Sequence, residues 1–212
     1  VSHDILITGV SGYLGGTLLA HFQSASLPNY GNLFGLVRKP EQAEAIKQYG
    51  AEPLMFSPQD EQATKNAIME NKITIVYFLL DAYDGTSQVN IIKALAECKN
   101  ATGLDVHFLH TSGAKMFSSL SGAPIDRPLL DDEPGLYEQH RKQKAPYEAV
   151  QMATNTNIAV TEKSLKHGVR TYIFVPCIVC RYIPTGQKIQ TKRDQNIEAC
   201  RASFSSDRKD RY

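Results

Sequence analysis

The chain has 212 residues, of which 42% are hydrophobic and 21% charged, with a net charge of +1. That length suits one well-buried domain without room for a second of ordinary size, and the balance excludes a disordered chain. No run reaches the roughly 18 apolar residues of a membrane span and the start lacks a signal-peptide pattern, so no membrane partner and a cytoplasmic location are expected. The near-neutral charge disfavours nucleic acid as a partner.

Residues 4–8 read as a short apolar strand that runs into Gly9, Gly12 and Gly15 and then into an amphipathic helix carrying Leu14, Leu18, Leu19 and Phe22. Glycines at this spacing, after a strand and before a helix, suit a dinucleotide-binding turn. Gly9 lets the chain turn, Gly12 lets backbone approach a pyrophosphate, and Gly15 lets helix and strand pack closely. Ser11, Tyr13 and Leu14 fall within this turn, and the helix aims its first amides at the phosphates.

Further strands are expected near 33–37, 52–56, 73–80, 105–110 and 170–176, with helical stretches between them. The runs 73–80 and 106–110 are nearly continuous in apolar or aromatic residues, as strands covered on both faces should be. The expectation is an α/β fold: a doubly wound parallel sheet of about six strands in three αβα layers, a Rossmann fold with strand order 3-2-1-4-5-6. Residues 1–180 form that domain, and 181–212 form a basic, irregular tail with eight Lys or Arg against four Asp or Glu.

Ligands of such a sheet bind beyond the carboxyl ends of the strands. That selects Arg38 and Lys39 after strand two, Ser57 after strand three, and Leu80 and Asp81 after strand four. It also selects Thr111 and Ser112 after strand five and Pro176 after strand six. Two cations and no carboxylate at Arg38-Lys39 favour a 2′-phosphate, and so NADP(H) over NAD(H). Asp81 also suits a cap for the next helix. Residues 116–145 read as a long functional loop or lid. His107 and His110 on strand five are expected to share a face of the sheet, and His110 is the better proton-transfer candidate. The four cysteines read as reduced thiols; Cys177-x-x-Cys180 has half-site spacing with no second pair, so no metal is expected.

The stretches Thr8-Gly9-Val10-Ser11-Gly12-Tyr13-Leu14-Gly15, Val37-Arg38, His110-Thr111-Ser112-Gly113-Ala114 and Gly168-Val169-Arg170-Thr171-Tyr172-Ile173-Phe174-Val175-Pro176 resemble the extended and atypical short-chain dehydrogenase/reductase superfamily. Its NAD-dependent epimerase/dehydratase and NmrA-like branches are the nearer likeness, over about residues 4–180. The resemblance implies a hydride-transfer site: a Ser or Thr after strand five that orients substrate, and a Tyr-x-x-x-Lys whose tyrosine is the general acid or base. The chain departs from this. Gly113 stands where the hydroxyl is usual, with Thr111 and Ser112 just before it, and Thr154 and Ile158 occupy the tyrosine and lysine positions. Tyr147 is followed four residues on by Gln151, so Lys144 or Lys115 would have to supply its charge; Tyr137 precedes Arg141 by four but sits too early.

The expected tyrosine and glycine after strand six are replaced by Cys180-Arg181, so the resemblance implies a chain in which the substrate domain is largely missing. Three functions stay open: an oxidoreductase or epimerase-like enzyme on a small metabolite, a non-catalytic NADP(H)-binding regulator of NmrA-like type with a protein partner, and a non-redox isomerase or cyclase. Tyr147, Ser112, His110 and Lys144 are the candidate catalytic residues, and a homodimer is left open.

Overall fold

The computed structural model describes residues 2–177. Among them, β1 (Asp4–Ile7), β2 (Leu33–Leu36), β3 (Glu52–Leu54), β4 (Ile73–Phe78), β5 (His107–Thr111) and β6 (Arg170–Phe174) form a sheet in the order β3-β2-β1-β4-β5-β6. Every neighbouring pair is parallel, so each strand needs a crossover to reach the next. Helices α1 (Tyr13–Phe22), α2 (Pro40–Lys47), α3 (Glu61–Glu70), α4 (Thr86–Thr102) and α6 (Glu148–His167) lie on those crossovers, and α5 (Leu136–Lys142) stands between β5 and α6. The strand order and the α/β class are those expected from the alternation of apolar runs.

Strand side chains alternate between faces, and a doubly covered sheet must bury both sets. Ile5 and Ile7 of β1 join Leu19 and Phe22 of α1 and Ala43 and Ile46 of α2 in one core. Leu6, between them, joins Val76, Phe78 and Phe108 with Ile91, Ile92 and Leu95 of α4 and Val160 of α6 in the other. Burying one such side chain contributes about 1.5–3 kcal/mol, so these two layers hold the sheet in place.

Two expectations change. His107 and His110 face opposite sides, because positions three apart differ by an odd number in a period-two strand. His110 is fully buried beside Phe78 at 6.1 Å, whereas His107 stacks on Tyr172 at the other face. The segment 116–145 is more ordered than a long loop: it opens in 3-10 turns at Ala114–Phe117 and Ser119–Ser121 and contains α5. Serine side chains close those turns locally, Ser118 Oγ donating to the Lys115 carbonyl and Ser121 Oγ to that of Met116, a pattern without hydrophobic periodicity.

The chain up to Pro176 forms one compact unit. The expected boundary at 180, Cys180 and the tail 181–212 lie outside the described residues. No helix among the described residues is long and apolar enough to cross a membrane.

Candidate functional site

The strand order reverses between β1 and β4, and the crevice outside their carboxyl ends is where a doubly wound fold holds its ligand. Thr8 fastens that point. Its amide donates to the Tyr77 carbonyl at 2.9 Å, and its fully buried hydroxyl accepts from the Leu79 amide at 2.9 Å while reaching the Tyr77 carbonyl at 3.3 Å. Gly9 follows with φ +67, and a Cβ there would stand 2.8 Å from the Leu79 carbonyl oxygen. Gly12 donates to the Gly9 carbonyl at 2.8 Å and begins α1 in extended geometry, with no side chain capping the helix. Any Cβ at Gly15 would collide with that same Gly9 carbonyl. The glycine spacing therefore draws α1 against the end of β1, with the Leu14 and Gly15 amides in the first turn, where a helix has no acceptor of its own. Tyr13 and Leu14 are exposed there.

Beside this turn is a cavity of about 400 Å³ lined by Gly9, Ser11, Arg38, Ser57 and Leu80, with Leu36, Val37, Met55, Phe56 and Pro58 as its apolar wall. Five expected residues thus meet on one space from four separate strand ends. Arg38 is held at the backbone: Gln42 Oε1 accepts from the Arg38 amide at 3.1 Å and the Lys39 amide at 3.2 Å. Its guanidinium makes no ion pair or hydrogen bond among the described residues, so a planar five-donor fork is open at the cavity. Lys39 turns to Glu41 at 3.9 Å instead and does not line this cavity.

Asp81 closes the turn before α4, accepting from the amides of Tyr83 at 2.8 Å and Asp84 at 3.3 Å. It does not cap that helix: the residue at the α4 N-cap is Gly85, which brings no side-chain bond, and Asp84 just before it accepts from the Thr86 amide at 2.9 Å and hydroxyl at 2.7 Å. Those bonds hold the Asp84 carboxyl below its usual range.

At the end of β5 the hydroxyls of Thr111 and Ser112 are buried without a hydrogen-bond partner among the described residues. The Ser112 amide donates to the Phe174 carbonyl and the Ala114 amide to that of Pro176, joining this strand end to β6. Both ring nitrogens of His110 are likewise unpartnered. Burial pushes its imidazole down to about 4, opposed by the Asn157 amide and the Asp81 carboxylate nearby, neither of which closes a hydrogen bond to the ring. His110 is thus neutral at pH 7. Tyr147 begins α6, 58% exposed and with no side-chain bond; neither it nor Lys144 lines either cavity. Thr154, at the position the family likeness gives to tyrosine, is fully buried, its hydroxyl donating to the Val150 carbonyl at 3.0 Å.

A second cavity, about 800 Å³, lies among the segment 114–137, α5, α6 and the end of β6. Phe117, Ile125, Leu129, Leu136, Ile173 and Val175 supply its apolar lining, with half-buried Tyr137 and buried His140 and Asn157 as polar groups. Tyr137 donates to Glu162 at 3.4 Å; burial, then the Glu162 carboxylate, pushes its phenol up, with Arg141 opposing. His140 stacks on Phe117 at 4.7 Å. Its Nδ1 lies 2.6 Å from Gln143 Oε1, and its Nε2 faces the Asn157 amide nitrogen at 3.5 Å. Burial holds this imidazole below its usual range, so the neutral ring keeps its proton on Nδ1, the tautomer the Gln143 oxygen selects. Nothing in the sequence singled out His140 or Asn157: they lie 17 residues apart on separate helices, and only α5 packing on α6 brings them together. Among the described residues no group of three or more His, Cys, Asp or Glu could hold a metal ion.

No protein-family model and no curated protein matches the chain. Solved structures do. A provisionally named epimerase from Burkholderia cenocepacia J2315 superposes with TM-score 0.59 and 17% identity over 88% of this chain and 57% of its own. A thiolation-reductase di-domain of an archaeal non-ribosomal peptide synthetase gives TM-score 0.60 and 16% identity, covering 84% of this chain and 41% of its own. The Bordetella bronchiseptica enzyme WbmH, solved with NAD+, gives 0.55 and 13%, covering 82% and 56%. The chain spans little more than half the length of the Burkholderia and Bordetella structures and less of the archaeal one. At these identities the likeness is one of architecture: the chain has the six-stranded Rossmann-like scaffold that these epimerase and reductase structures share.

Proposed function

We propose that this chain binds NADP(H) at the β1/β4 crevice and acts on a small molecule as an oxidoreductase or epimerase-like enzyme. The observation that carries the reading is the convergence of Gly9, Ser11, Arg38, Ser57 and Leu80 on one cavity. Its volume and apolar wall suit the adenosine half of a dinucleotide. The Gly9 to Gly15 turn leaves backbone close enough for a pyrophosphate, and the open Arg38 fork matches a 2′-phosphate. That WbmH was solved with NAD+ on the same scaffold supports a nicotinamide dinucleotide as the ligand class. NADP(H), when bound, supplies the hydride donor or acceptor; the residues of this chain orient it and exclude water.

A second reading is binding without turnover, as in a regulator of NmrA-like type, in which the cofactor changes affinity for a protein partner. Thr154 favours it, because a fully buried hydroxyl engaged with its own helix offers no phenol to a substrate. Calorimetric titration of the full chain with NADPH and NADH, followed by the absorbance of the reduced nicotinamide during incubation with carbonyl substrates, tests both. Saturable NADPH binding with oxidation supports the enzyme; binding with no oxidation transfers the proposal to the regulator. Failure of NADPH to bind removes both.

A further inference from the structure

We propose that Ser57 is a phosphorylation site and that its phosphate, by pairing with Arg38, closes the small cavity at the β2 and β3 strand ends to the cofactor. The inference rests on the NADP(H) reading of that cavity and concerns its regulation. Ser57 lines the cavity and is exposed, and its hydroxyl makes no hydrogen bond among the described residues. Its place is fixed through the backbone. The Ser57 carbonyl accepts from the Asp60 amide at 3.0 Å, and the carbonyls of Pro58 and Gln59 accept from the Asn90 side-chain amide at 3.2 and 3.1 Å. Of the ten prolines in the chain, only Pro58 follows a serine or threonine. Proline-directed kinases require that dipeptide, in which the proline ring holds the preceding residue extended.

The register of the sheet decides what that phosphate meets. Leu36 of β2 stands beside Leu54 of β3, and the Val37 amide donates to the Leu54 carbonyl at 3.0 Å. Two residues on, the same register sets Arg38 beside Phe56 and next to Ser57. Arg38 lines the same cavity with its guanidinium unpaired among the described residues, and no carboxylate lines it with them. A phosphoserine carries about −1.5 to −2 charges at pH 7 and three acceptor oxygens, enough to take the planar fork bidentately. The transfer needs ATP and a kinase: Ser57 Oγ bonds the γ-phosphorus as the bond to the ADP oxygen breaks, and the hydroxyl proton passes to the kinase's base. The modified chain then holds within itself the anion that the cofactor would bring, so the 2′-phosphate loses its partner and meets like charge.

Two forms of the full chain test this, one unmodified and one with phosphoserine installed at position 57 during synthesis by a suppressor tRNA. In calorimetric titration the phosphorylated form should bind NADPH at least about ten-fold more weakly, with a smaller loss for NADH, which brings no 2′-phosphate to the fork. Phosphorus NMR reads the pairing without cofactor: the phosphoserine should titrate about 0.5 pH or more below its ordinary value of about 6, and Arg38→Ala should return it there. A mitogen-activated protein kinase with ATP should label the unmodified chain on the peptide that holds Ser57, and Ser57→Ala should remove that label. NADPH binding within about two-fold in the two forms, a phosphoserine titration indifferent to Arg38→Ala, or no label at Ser57 overturns the proposal. Failure of the unmodified chain to bind NADPH is a separate result: it removes the cofactor reading and with it the closure of the cavity, while the titration and the label still decide whether Ser57 is modified and paired.

Discussion

Arg38 and His110 show how single side chains carry the account. A charge-assisted bond to a phosphate is worth about 1.5–3 kcal/mol, or about 10- to 150-fold in affinity. Arg38→Ala should therefore weaken NADPH by at least ten-fold while leaving NADH within about two-fold, read by calorimetry; equal losses for the two would detach Arg38 from the 2′-phosphate. His110 makes a different prediction. Its folded value, about 4, lies below the ordinary 6.5, so the unfolded chain takes up the proton first. Its contribution is whole above pH 6.5 and is lost as pH falls towards 4, by about 3 kcal/mol in all. His110→Leu should abolish that part of the slope in denaturant unfolding between those pH values; an unchanged slope would place the titration elsewhere. The place of Arg38 beside the cavity was legible because it depends on one local position, the end of a strand. The burial of His110 was not: the strand register that sets its face needs the parity rule, and its depth needs α6.

At the scale of elements, the β1 to α1 turn was readable almost residue by residue, since the glycine requirement comes from backbone meeting backbone a few positions away. Gly15→Ala tests this. The added Cβ collides with the Gly9 carbonyl, which cannot rotate aside as a side chain would, so a loss of about 1–3 kcal/mol is expected from overpacking. The control is Gly113→Ala, where a Cβ meets nothing within 4 Å and the expected change is within about 0.5 kcal/mol. Denaturant midpoints compare the two, and equal effects would show that the helix and strand end do not press together here. The segment 116–145 was less legible. Its turns are closed by serine hydroxyls, and α5, at seven residues, is too short to show a period. Its packing on α6 builds a cavity whose polar groups come from distant positions.

Across the whole molecule, the alternation of apolar strands with helical stretches implied the parallel sheet and its order, because crossover geometry leaves few arrangements. The same sheet then fixes where a ligand can sit, at the reversal between β1 and β4, where Thr8 binds the two strand ends together. Two spaces result: a small one built from strand ends and a larger one built from helices and turns, with no lining residue in common. The central claim is that the smaller one holds NADP(H). The most direct test is amide chemical-shift mapping of the isotope-labelled full chain during titration with NADPH. Saturable shifts gathered at Gly9, Ser11, Gly12, Arg38, Ser57 and Leu80 are expected. Absence of saturable shifts, or shifts centred on His140 and Asn157, would contradict it.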